Sequence, residues 1–69
     1  MEVTEHICKD AVGSVLTQKG WKLSEPKKRI AEKYTFELAE GRDIEWDDLL
    51  HIAKMCIVSA NRSSTIIKV

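Results

Sequence analysis

His51 is the residue of this chain best placed to do chemistry. Asp47 and Asp48 precede it at helical spacing, so each carboxylate lies about one turn from the imidazole. Glu2, His6 and Asp10 repeat the pattern at i, i+4 and i+8, a set that could reach one ion. Neither group completes a site. Zinc is held by three or four ligands in a recognisable constellation, and carboxylate-bridged metals need repeated motifs on several helices. No metal and no cofactor is therefore expected. Cys8 or Cys56 with a histidine would suggest a thiol nucleophile, but such a thiol wants an electropositive, accessible setting, and both lie among Val, Leu, Ile and Ala. The chain has no Gly-rich phosphate loop and no Ser nucleophile elbow. A helical chain of 69 residues also offers little concavity from which to exclude water. The expectation is a protein that is not an enzyme, with His6 an exposed helical residue. His51 becomes an interface side chain that makes association sensitive to pH between about 6 and 7.

Length limits what can position these residues. A chain of 69 residues makes one small helical domain, residues 1–69, whose core supplies about 3–5 kcal/mol of net stability. Two cysteines outside any C-x-x-C pair are too few to staple such a domain. The opening "MEVTEHICKD" lacks the apolar core of a signal peptide, and no apolar run approaches the roughly 20 residues of a membrane span. A reduced, cytoplasmic setting is expected. Net charge is zero, without the basic excess of a general nucleic-acid binder. The charge is nonetheless divided along the chain. Residues 19–33 carry Lys19, Lys22, Lys27, Lys28, Arg29 and Lys33 against Glu25 and Glu32, whereas residues 34–50 carry Glu37, Glu40, Asp43, Glu45, Asp47 and Asp48 against Arg42 alone. Such blocks can be two solvated faces, can answer each other across a dimer, or can dock a partner of opposite charge.

Three amphipathic patterns follow, over about 4–19, 25–40 and 44–60, which predicts an all-α bundle. In the first, Thr4 is the N-cap, Ile7, Cys8, Ala11, Val12, Val15 and Leu16 face inward, and Gly20 stops the helix. Gly13 interrupts this pattern, either at a simple cost in stability or because another backbone comes close. Ser24 and Pro26 open the second helix, Trp21 and Leu23 fold back over the core, and Ile30, Ala31, Tyr34 and Leu38 form the inward face. Phe36 falls on the polar side and does not fit. In the third, Trp46, Leu49, Leu50, Ala53, Cys56, Ile57 and Ala60 make one core stripe. The β-branched end "TIIKV" predicts an irregular, extended or strand-like tail over residues 61–69.

The third helix has apolar residues to spare. Asp48, His51, Ile52, Met55 and Ser59 follow the spacing of a helix that docks into a groove, with Ile44 and Val58 beside them. A small bundle cannot enclose one of its own helices, so this second stripe predicts an intermolecular surface. A homodimer seam ranks first, cover by the tail and the "WKL" linker second, and a heterologous partner third. The expected partner-binding residues are Phe36, Asp47, Asp48, His51, Ile52, Met55 and Val58. They suit a small regulatory protein that binds another protein, such as an inhibitor, antirepressor or anti-activator of a transcription regulator or other host protein, of the kind carried by phages and mobile elements. The alternative is a helix-turn-helix-like DNA-binding regulator, since "ELAEGRDIEWDDLLHIAKM" joins two helices through a short Gly-containing turn. Its recognition helix would lead with Glu45, Asp47 and Asp48, which phosphates repel. Nucleic acid and membrane are therefore not the expected partners.

Overall fold

The computed structural model describes the backbone of residues 1–67 and the side chains of residues 1–61. It is an all-α bundle of α1 (Glu5–Lys19), α2 (Glu25–Ala39) and α3 (Trp46–Ile67), each packed against the other two. The Thr4 hydroxyl caps α1 by accepting the Ile7 N–H at 3.2 Å. Gly20 ends it at φ 70°, where its N–H and that of Trp21 donate to the last carbonyls of the helix. That left-handed turn is open to glycine without strain. Ser24 takes the N-cap position of α2 without a side-chain cap bond, and Pro26 occupies the first turn, where a missing N–H costs nothing.

Helix α3 starts later than its acidic run suggests, because the preceding residues are held extended. Glu2 and Asp43 form an isolated antiparallel bridge, and Ile44 N–H donates to the Met1 carbonyl at 3.2 Å. The Met1 ammonium pairs with the Asp43 carboxylate and, through that hydrogen bond and its charge, holds the carboxyl below its ordinary range. This contact places Val3 in the core and Ile44 against it.

At its other end α3 runs without a break through Asn61 to Ile67, so the irregular or strand-like tail expected over 61–69 is further helix as far as Ile67. β-branched residues are weak helix formers, but extending a helix already nucleated fixes only one residue per added hydrogen bond. Thr65, Ile66 and Ile67 thus continue the helix and do not fold back over its earlier turns. Lys68 and Val69 lie outside the described residues.

The core is built of small side chains: Cys8, Ala11, Val12 and Val15 of α1, Ala31, Thr35 and Ala39 of α2, and Leu49, Ala53, Ile57 and Ala60 of α3, with Cys56 buried beside them. An alanine on each facing helix lets the axes approach closely. Thr35 is the one buried polar side chain among the described residues, and its hydroxyl donates to the Ala31 carbonyl at 2.7 Å. Gly13 meets nothing: a Cβ built there has no neighbour within 4 Å. Among the described residues no second backbone comes close, so the glycine is a plain cost. Gly13→Ala should therefore stabilise the fold by about 1 kcal/mol, a rise of roughly 4–8 °C in the unfolding midpoint. A thermal melt with an unchanged or lowered midpoint would contradict the open space at this turn.

Candidate functional site

Helix α2 is turned relative to its expected inward face. Ala31 alone of the four expected inward residues is buried; Ile30, Tyr34 and Leu38 are exposed. The stripe that enters the core is Ala31, Thr35 and Ala39, and Phe36, expected on the polar, partner-facing side, lies half-buried against the core. This helix contacts both of its neighbours, and small side chains suit such a contact. The larger apolar residues are thereby displaced to the flank.

That displacement builds a surface. Ile30, Tyr34 and Leu38 stand at i, i+4 and i+8, so they form one ridge along α2. They are 38%, 39% and 56% exposed, and Met55, across the groove on α3, is 59% exposed. Tyr34, Glu37 and Leu38 line the α2 side of this groove, and Met55, Cys56 and Ser59 line the α3 side. The face is thus an apolar ridge and a methionine with a carboxylate at its rim.

The expected partner-binding residues do not form one surface. Met55 lies in the α2–α3 groove, His51 is exposed one turn before it, and Ile52 is half-buried. Val58 is exposed on another side of α3, above a hollow shared with Trp21, Lys22 and Leu23. Asp47 and Asp48 are exposed in the first turn of α3, where they favour the positive end of the helix dipole. Phe36 borders a depression with Glu5, Lys9, Arg29 and Lys33, on the side of α2 toward α1. Spacing alone does not single out Ile30, Tyr34 and Leu38, since a large apolar stripe on a helix normally faces inward. The parallel stripe of Ala31, Thr35 and Ala39 is the signal that could have found them. Trp46, expected in the core stripe, is exposed at the start of α3 and borders an open hollow with Gly13, Ser14 and Thr17 of α1.

The histidines, carboxylates and thiols do not gather into one site among the described residues. Glu2 precedes α1 and is tied to Asp43, so it does not continue the helical spacing of His6 and Asp10. His6 Nε2 is 3.7 Å from Asp10 Oδ2, with the imidazole side chain 85% exposed. Among the described residues no three His, Cys, Asp or Glu side chains gather as metal ligands. Cys8 and Cys56 are buried free thiols. Burial pushes the Cys8 thiol up, helped by Cys56 and by the negative charges of Glu5 and Glu32. Burial also raises Cys56, against a smaller lowering by the Thr35 hydroxyl. Both effects disfavour the thiolate a nucleophile requires. The helix that a helix-turn-helix would place in a DNA groove begins with Trp46, Asp47 and Asp48. Among the described residues no helix is long and apolar enough to cross a membrane.

No protein-family model, curated protein or solved structure matches this chain.

Proposed function

We propose that this chain is a small non-enzymatic regulatory protein that acts by binding another protein through the α2–α3 face. One observation carries this reading: Tyr34, Leu38 and Met55, large apolar side chains, stand exposed around the α2–α3 groove, and Ile30 is exposed one turn before Tyr34 on the same ridge. Soluble monomers seldom leave large contiguous apolar patches open, and such patches mark docking surfaces. Tyr and Met are also among the side chains enriched at the centres of protein interfaces. Asp47 and Asp48 supply exposed negative charge nearby in sequence and would speed encounter with a basic partner more than they would hold it. In a protein of this size the simplest regulatory action is occlusion, as in an inhibitor, antirepressor or anti-activator that masks a working surface of its target.

The test is affinity capture from host cells with the wild-type chain and with Leu38→Glu, whose fold is confirmed by circular dichroism. The reading expects a protein retained by the wild type and lost from the variant. Equal retention by both would remove the α2–α3 face from the account.

A further inference from the structure

We propose that the hollow between the α1–α2 turn and α3 is a binding site for a small carboxylate with an apolar body, such as a short fatty acid or an aromatic acid. The site lies apart from the α2–α3 face and stands or falls independently of the role given to that face.

Its walls come from two parts of the chain that the fold brings together. The turn of residues 20–24 supplies Trp21, Lys22 and Leu23, and α3 supplies Ile57, Val58 and Asn61. The turn is held in place: the Trp21 N–H donates to the Leu16 carbonyl at 3.0 Å, so the glycine stop of α1 also sets where the indole leaves the backbone. Ile57 is buried at the floor, while Trp21 and Val58 remain 39% and 40% exposed at the sides. Leu23 is half-buried beside them. Four apolar side chains thus border a space of about 470 Å³.

The charge around this space has one sign. Lys22 lines it. Lys27 reaches its edge from α2, where its Nζ donates to Oδ1 of Asn61 at 3.3 Å. Lys54 is exposed one turn before Val58, on the stripe of α3 that continues to Asn61. Among the described residues no carboxylate lines the space; Glu25, the acidic residue closest to the turn in sequence, opens α2 outside it.

Size and lining choose the ligand. The volume falls within the range of small-molecule sites, about 300–1,000 Å³, whose walls are mostly apolar with a few polar groups at fixed places. A bare inorganic anion would leave the apolar walls unused, and a neutral apolar molecule would leave the ammonium groups unanswered. A carboxylate on an apolar body uses both. Its chain or ring packs against Trp21, Leu23 and Val58, and its charge takes a charge-assisted hydrogen bond from Lys22.

The experiment follows ¹H–¹⁵N NMR spectra of the full chain during titration with octanoate at about pH 7, where the probe is ionised. Probe concentrations up to about 3 mM reveal dissociation constants of about 1 mM or tighter. Octanol and octylammonium serve as the neutral and cationic probes of equal length. The two indole N–H signals separate this hollow from the rest of the surface, since Trp46 borders a different one. The proposal expects a saturable shift at Trp21 and Val58 with Trp46 unmoved, octanol bound about tenfold more weakly than octanoate, and octylammonium not bound. Lys22→Glu, at an exposed position and with its fold checked by circular dichroism, should weaken octanoate about tenfold and leave octanol unchanged. No saturable shift at Trp21 overturns the proposal, as does a shift of equal size at Trp46. Octanol bound as tightly as octanoate overturns it too, a comparison that needs no variant. So does an octanoate affinity that Lys22→Glu leaves unchanged.

Discussion

Leu49→Ala should leave this protein largely unfolded at room temperature. Leu49 is wholly enclosed and is the largest of the fully buried side chains, ahead of Val12, Thr35 and Cys8. Truncating a buried leucine to alanine costs about 2–5 kcal/mol, partly for lost transfer and partly for the cavity left behind. A domain of this size holds only about 3–5 kcal/mol in all. The other fully enclosed core residues are alanine, valine or cysteine, too small to fill the space themselves, and the larger Ile7, Phe36, Ile44 and Leu50 pack only against the edge of the core. Urea unfolding followed by far-ultraviolet circular dichroism measures the effect. It should be run at low protein concentration, since association would lend the variant stability by mass action. A loss below about 1 kcal/mol would mean that the bundle does not close around this residue.

Leu38→Glu should do the opposite: leave the fold in place and abolish association. Leu38 is more than half exposed, so the monomer loses little burial when it is replaced. Leucine and glutamate have similar helix propensities, and substitutions at exposed positions usually stay within about 0.5 kcal/mol. In a closed interface the same carboxylate would be placed against Ile30, Tyr34 or their counterparts without a partner charge. Central interface residues cost about 2 kcal/mol or more when truncated, or roughly thirtyfold in affinity, and a buried unpaired charge adds to that. The two substitutions separate fold from function. A destabilised Leu38→Glu monomer would show that this face serves the core.

Helix α1 is legible in the sequence almost completely. Its Thr4 cap, its inward Cys8, Ala11, Val12 and Val15, and its Gly20 stop all stand where spacing places them. The core stripe of α3 is legible too, from Leu49 through Ala60, apart from Trp46 at its exposed start. Helix α2 is not, for a physical reason. Its two candidate faces are Ile30, Tyr34 and Leu38 on one side and Ala31, Thr35 and Ala39 on the other, and hydrophobicity favours the first. Packing decides for the second: Ala31, Thr35 and Ala39 are buried with Cys8, Ala11, Val12 and Val15 of α1 and Leu49, Ala53, Ile57 and Ala60 of α3, and small side chains suit a contact made with two helices at once. That constraint belongs to the assembled bundle and cannot be read from one helix alone. It also hides the site: spacing puts most of the excess apolar surface on α3, whereas three of its four members lie on α2. The end of α3 escapes a reading by composition because β-branched residues follow a long helix that is already formed.

A docking role requires that the Ile30, Tyr34, Leu38 and Met55 face touch another protein in the cell. In-cell photo-crosslinking tests it most directly, with a photoreactive amino acid placed at Leu38 in one variant and at His6, an outward-facing position on α1, in another. The account predicts a discrete protein adduct from position 38, to a second copy or to another chain, and none from position 6. No adduct from position 38, or the same pattern from both positions, would contradict it.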